Sequence, residues 1–539
     1  MQVEFFLLIL SLLFFVSIFA DKIGYKYGVP ALLLFLVVGM FFGSSGMASV
    51  FGSGRGMDID VENAQAISTI AMSIILFTGG METKLSDIKS VLAPGITLAT
   101  LGVLLTCVIT GVIIYYIFGW INAVASVSIW LALLMAATMS STDSASVFSI
   151  LRTNGIGLKH NLRPLLELES GANDPMAYVL TTTLIGVVIN THSIVGLAEQ
   201  VTVLPIIQNI AIQLVMGTVL GLAFGEGLVQ LMRRVKLGNE ALYPIMILTA
   251  CIFIFAVTYY LQGNTYLAVY VGGLVIGNNK FTRKRQTRSF FNGLAWLSQL
   301  VMFLMLGLMV KLPELLNYKT WLPCLIISVV MIFISRPLSV WLCMLPFQHY
   351  HTRDKVMLSW VGLKGAVPII FAVMCKAQGV PFADMIFNVV FLCTLVSLLV
   401  QGTTLTWMAN KLDLATPGEE VRSLEHFDMD LPDEIQSSAR EVEVTDHMLT
   451  AGNTLREIKI PPKTLIIMVR RGEDFFVPTG SSALQAGDQL LVISDKDAEA
   501  TYRHMVDDAE EEAQWREEMR EKAKERFVRM TAWMHKKGK

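Results

Sequence analysis

The stretch LELESGANDPMA, Leu166 to Ala177, sets three carboxylates (Glu167, Glu169 and Asp174) and an adjoining proline into a run that otherwise reads as a membrane helix. An ionised group at the centre of a bilayer is costly unless it is paired, hydrated or protonated. Three such groups in one span need partners, and where those partners lie decides the architecture. On a helix Ser170 and Asp174 are four residues apart and share a face. Pro175 has no N–H, so the carbonyl of Gly171 loses its usual partner. A carboxylate, a hydroxyl and a released carbonyl are hard oxygens of the kind alkali cations take.

Working outward, the setting is a membrane. Of 539 residues, 54% are hydrophobic and 16% charged, with a mean hydropathy of +0.57, values of a polytopic membrane protein. Apolar runs predict thirteen spans, at about 3–20, 29–46, 63–81, 95–118, 124–151, 162–190, 204–232, 241–262, 265–278, 291–310, 320–345, 354–376 and 384–408, mostly near the ~20 residues a crossing needs. The first run lacks a basic n-region and a small-residue cleavage site, so it reads as a span and not a signal peptide. Seventeen Lys and Arg fall in the odd-numbered connections, against Arg55, Lys311, Lys319 and Lys376 in the even ones. The positive-inside rule then puts the N-terminus outside and the C-terminus in the cytoplasm. The six cysteines all fall within spans with no CxxC pair and read as packing residues.

Two spans are interrupted. The fifth holds MSSTDSAS (Met139–Ser146) and the twelfth WVGLKGAVP (Trp360–Pro368). Ser, Thr and Asp compete for backbone hydrogen bonds, and Gly and Pro weaken helices. With the seventh span as a connector, the fifth and twelfth stand next to last in two six-helix halves. Equivalent spans are an odd seven apart, so the halves are inverted repeats. Paired broken helices in inverted halves point to a secondary transporter with a midplane site.

At 1.5 Å per helical residue, Asp174 lies roughly 18 Å from the cytoplasmic start of its span, Lys364 about 15 Å, Arg336 about 13 Å, Asp143 about 12 Å and Glu169 about 10 Å. The matching depths predict a structural Glu169–Arg336 ion pair, with Glu167 as a hydrated interfacial charge. Asp174 is then the carboxylate without a fixed counter-charge, able to hold either a proton or a cation. That competition is what an exchanger needs.

ESGANDP, the Thr-Asp of the broken fifth span, the SRP arginine and WVGLKGAVP resemble the NhaP-type cation/proton antiporters across the whole membrane region. The resemblance implies that Asp174 binds the ion and that Asn173 marks an electroneutral branch. It further implies that Thr142, Asp143 and Ser170 complete the cation site, and that Glu169 pairs with Arg336. Two positions depart from the pattern. Ser144 stands where Pro often follows Thr-Asp, and Lys364 replaces the usual Arg, where it offsets helix dipoles or also titrates.

After the membrane domain (1–410), residues 411–440 read as an acidic linker and 441–506 as a small β-rich domain with turn signals between short apolar strands. The latter resembles the TrkA-C lobe of regulator-of-potassium-conductance domains. Such lobes commonly dimerise and bind a regulatory ligand, which implies a homodimer and a nucleotide-type effector, although no GxGxxG lobe precedes it. Residues 507–539 read as a charged amphipathic helix.

The expected fold class is therefore an all-α polytopic membrane protein, with two inverted six-helix repeats followed by a small α+β cytoplasmic domain. The expected function is electroneutral exchange of a monovalent cation, K+ before Na+, for H+ across the plasma (cell inner) membrane. No enzyme activity, cofactor, bound metal or nucleic-acid partner is expected. A phosphate cradle for an ATP-driven pump is absent. A channel regulated by the tail would want a TVGYG-like filter, also absent, and a non-transporting membrane sensor is the remaining alternative.

Overall fold

Long apolar runs that satisfy their own backbone hydrogen bonds become helices, the open-chain solution a bilayer allows. The computed structural model describes residues 8, 11–19, 22, 31–43, 59–121, 127–193, 203–235, 237–281, 283–315, 317–417, 439–444, 448–458, 464–472 and 474–494. The chain divides into two compact units, Met1–Gly418 and Glu419–Lys539.

In the first unit, each predicted span from the second to the thirteenth has a helical counterpart. Among the described residues, eight helices are long and apolar enough to cross a membrane, and Ala31–Phe42, Ile129–Thr138, Thr265–Asn278 and Val367–Ala377 are shorter apolar ones. Only residues 8 and 11–19 of the first span are described, as helix, so the count of thirteen rests partly on residues outside the described set.

Close helix crossings carry the signature of inverted halves. In span three (Val61–Glu82) and span nine (Thr265–Asn278), Gly80 lies against Tyr270 O and Gly273 against Phe77 O, where a Cβ would stand 2.3 Å from each oxygen. Span two (Ala31–Phe42) and span ten (Lys284–Leu308) meet the same way through Gly39 and Gly307. Adding seven turns spans two and three into nine and ten, so the two crossings are symmetry equivalents of one contact between the halves. Small residues let backbones touch where no hydrophobic force drives association. Likewise π-helical turns interrupt span four at Leu98–Gly102 and its equivalent, span eleven, at Met331–Ser335. Such bulges re-aim side chains near functional sites, and the second directly precedes Arg336.

The membrane unit is not wholly helical. Strand β1 (Ile156–Leu158), in the loop from span five to span six, pairs antiparallel with β2 (Ala415–Pro417). Lys159 N–H donates to Leu414 O at 3.0 Å, and Lys159 Nζ lies 3.3 Å from Asp413. The start of the segment read as linker is thus strapped to the loop leading into span six. Periodicity could not reveal a three-residue strand whose partner lies about 260 positions away.

The second unit shows a four-stranded antiparallel sheet, order β3-β6-β4-β5, from β3 (Ala439–Glu443), β4 (Thr464–Arg471), β5 (Asp474–Phe476) and β6 (Gln489–Ser494). Val442, Ile466, Val469, Leu490 and Val492 fill its core. The predicted helix at 507–539 lies outside the described residues.

Candidate functional site

Span five stops at Thr138 and restarts at Ser144. The stop follows from Thr138 and Ser140, whose hydroxyls bond back to Met135 O and Ala137 O and displace helical bonds. The restart is capped by Asp143, which accepts Ser146 N–H at 3.1 Å and the Ser146 hydroxyl at 2.5 Å, satisfying a donor the first turn leaves open.

Span twelve breaks between Trp360 and Val367, and the two breaks lie on each other. Asp143 N–H donates to Leu363 O at 2.9 Å. Lys364 reaches the other way, its ammonium donating to Ser141 O at 2.8 Å, just past the negative end of helix Ile129–Thr138. Gly365 packs so tightly here that a Cβ would stand 2.3 Å from Asp143 Oδ2.

Span thirteen (Ala383–Lys411) backs this crossing. Ser397 Oγ accepts Lys364 N–H at 2.9 Å and donates to Gln401 Oε1 at 2.6 Å. Gln401 Nε2 closes the chain on Trp360 O at 2.8 Å, holding a carbonyl at the end of the half-helix. The sequence reading passed over Ser397 and Gln401. Their spacing of four in an apolar span was the available signal.

Span six, Leu162–Ser193, runs helical through Pro175. Its polar face lies on the break in span five. The Ser170 hydroxyl donates to Thr142 O at 2.8 Å and accepts Ser144 N–H at 3.0 Å. Asn173 Nδ2 donates to Thr142 Oγ1 at 2.6 Å. Ser170, through backbone groups, and Asn173, through the Thr142 hydroxyl, therefore fasten span six to the segment that holds Asp143.

Asp174 is 8% exposed, and Asp143 and Lys364 are the charges that act on it, with Ser141 beside it. Its Oδ1 and the Oδ1 of Asn173 are buried without a hydrogen-bond partner. An uncompensated buried carboxylate oxygen is costly, and a cation or a proton is what it can take. Five residues earlier, Glu169 Oε1 lies 2.5 Å from Arg336 Nη2, with both side chains at most 3% exposed. Arg336 lies against Gly362 of the span-twelve break. Glu167, nearer the helix start, pairs with Arg163 at 3.0 Å and remains partly exposed. The geometry thus gathers Thr142, Asp143, Ser170, Asn173, Asp174 and Lys364 at one crossing, with the neutralised Glu169–Arg336 pair adjoining it.

Comparison with known proteins gives this geometry a lineage. Residues 9–411 match the family described as sodium/hydrogen exchanger, transmembrane, and residues 439–506 match the TrkA-C domain. The chain is 36% identical over 494 residues to the K(+)/H(+) antiporter NhaP of Alkalimonas amylolytica, covering 90% of this chain and 80% of that protein. It is 35% identical over 490 residues to a K(+)/H(+) antiporter NhaP2 of Shewanella sp. (strain ANA-3), covering 90% and 81%. Among solved structures, the sodium proton antiporter MjNhaP1 from Methanocaldococcus jannaschii at pH 8 superposes with a TM-score of 0.63 at 22% identity, over 76% of this chain and 99% of that one. The fold, the crossed broken helices and the relatives agree: this multi-pass membrane protein belongs to the sodium/hydrogen exchanger family.

Proposed function

We propose that the protein exchanges one K+ for one H+ across the cell inner membrane by alternating access, with Asp174 carrying either ion in turn. The observation that carries this reading is the unpartnered, buried Asp174 Oδ1 beside the crossed breaks, in a molecule whose other deep carboxylate in span six is already neutralised by Arg336. Thr142, Ser170 and Asn173 shape the cation's surroundings, Asp143 caps the restarted half-helix, and Lys364 balances the charge of the opposed ends. Asn173 cannot ionise, so with Asp143 kept in one charge state as the cap of its half-helix the motif holds one titrating acid and a cycle moves no net charge. The names of the NhaP and NhaP2 relatives support K+.

The excess of Lys and Arg in the odd-numbered connections supports an N-terminus outside and a cytoplasmic tail. The TrkA-C domain serves regulation, through a homodimer and an effector of nucleotide type.

Proteoliposomes with a trapped pH dye test the reading. KCl pulses should move protons more strongly than NaCl pulses. Protons and cations compete for one carboxylate, so lowering pH should raise the apparent cation KM before it lowers the maximal rate. With the potential clamped by valinomycin and K+, and with Na+ or Li+ as the exchanged ion if either is carried, reversing the polarity should leave the rate unchanged. A clear acceleration would refute the one-for-one cycle.

A further inference from the structure

The turn between spans eight and nine lies against span six. Span nine, Thr265–Asn278, has 14 residues, about 21 Å of helix, well short of the ~30 Å hydrocarbon core. Its first residues lie beside Pro175, 13 positions into span six and so about 20 Å from that helix's start. Asn264, at the end of the polar turn Gln262-Gly263-Asn264, therefore sits level with Asp174 along span six. Irregular backbone at that depth survives only when buried in protein or facing a water-filled cavity.

Here protein buries Gly263 and Asn264, while Gln262 is exposed. Asn264 is fully buried, and its N–H donates to Gln213 O of span seven at 3.0 Å. Gly217 makes room for the turn, since a Cβ there would stand 2.7 Å from Asn264 O. The Asn264 side chain is divided between two tasks. Its oxygen accepts Leu267 N–H at 3.0 Å and caps span nine. Its amide donates to the carbonyl of Pro175 at 2.8 Å. One turn beyond Asp174, Tyr178 packs edge-on against Tyr266 of span nine with ring centroids 4.7 Å apart, and lies 6.2 Å from Phe371 of span twelve.

We propose that Asn264 is a positioning residue for the transport site: its amide holds the Pro175 carbonyl, next to Asp174, and pins span six to the hairpin of spans eight and nine in the conformation seen here. The hydrogen bond joins the helix that carries the ion to helices outside the crossed breaks. The Tyr178–Tyr266 contact closes the same seam on the side away from the basic loops. For Asp174 to face that side, the seam must open and the Asn264 tie must release. The tie therefore favours one access state, and losing it shifts the population toward the other.

The proposal rests on the reading of Asp174 as the ion-carrying residue, and the test keeps the two apart. Asn264→Ser keeps a capping oxygen for Leu267 but is too short to reach Pro175, and Asn264→Asp keeps the shape and the cap without the donor. Cation KM is measured from each face in vesicles of defined orientation, alongside thermal stability, for both variants and for Asp174→Asn. Either variant should raise KM on the basic-loop face by roughly three- to tenfold, the weight of one hydrogen bond, and lower or preserve it on the opposite face. Equal shifts on both faces, or lost stability with unchanged KM, would overturn the positioning role. If Asn264 variants match the parent while Asp174→Asn is inactive, this inference fails alone. If Asp174→Asn transports, the underlying reading fails first.

Discussion

Span six holds two charged layers with opposite treatment. At the lower layer Glu169 meets Arg336 at 2.5 Å with neither side chain more than 3% exposed. One turn and a residue further on, Asp174 has no such ion pair among the described residues, and its Oδ1 is buried without a hydrogen-bond partner there. Both layers carry a carboxylate and a cation, since Lys364 acts on Asp174. The difference is where the cation's hydrogen bonds go. Arg336 gives its bond to the carboxylate, whereas Lys364 gives its bond to Ser141 O. Glu169 Oε2 and Arg336 Nε are themselves buried without a hydrogen-bond partner among the described residues. What sets the layers apart is therefore a fixed counter-charge bonded directly to the carboxylate in one and a cation engaged elsewhere in the other.

The largest expected effect tests that contrast directly. Asp174→Asn should abolish exchange, because an amide neither binds a proton nor neutralises a cation, and Asp143→Asn should do so nearly as fully. Dye-monitored exchange at the parent's rate in Asp174→Asn vesicles would erase the distinction between the layers.

Next comes the closed pair. Glu169→Gln leaves Arg336 buried and unpaired, at about 3–5 kcal/mol, and should reduce the yield of folded protein. Adding Arg336→Met removes the stranded charge and should restore yield. A double variant no better than the single would show that the two residues do not act as partners.

A smaller change probes how the open layer is held. Gly365→Ala places a methyl against Asp143 Oδ2, an overpacking cost of about 1–3 kcal/mol. Exchange should fall roughly tenfold while the protein still reaches the membrane, and normal exchange would show that the crossing tolerates displacement of Asp143.

The mildest effect concerns an ion pair outside the membrane. Asp488 is buried, which opposes its ionisation, but hydrogen bonds from Arg471 at 2.7 Å and from Gln485 N–H hold its carboxyl below the usual range. A depressed folded pKa adds stability that is complete above the unfolded value, about 3.9, and is lost as pH falls through the folded one. Amide exchange of Gln489–Ser494 in the whole chain should therefore stay slow down to about pH 4. Arg471→Met should move the onset of fast exchange to higher pH. An unchanged onset would show that this pair, unlike Glu169–Arg336, contributes nothing.

Much of this molecule was legible in the residues alone. A bilayer offers no hydrogen bonds, so apolar length marks the helices, stray charges mark the places that need partners, and interrupted runs mark the breaks. That is why LELESGANDP, TD and GLKGAVP could be placed at one depth before any coordinate was known. The alternation of EVEV, TLIIMVRR and DQLLVIS marked the tail's strands because a half-buried sheet imposes period two. Apart from Glu169–Arg336, which opposite charge at matching depth predicted, partner choice was not legible, because it depends on distances between segments far apart in the chain. Only the tertiary structure decided that Ser170 binds the Thr142 backbone, that Lys364 caps Ser141 O in place of pairing with Asp174, and that Ser397 and Gln401 support the second break. It alone brought Asn264 to Pro175 and strapped residues 415–417 to 156–158. Each of these rests on a hydrogen bond to a backbone group that every residue carries, from a common polar side chain or, in the strap, from another backbone, so composition and spacing leave no trace of which will meet. Packing settles it.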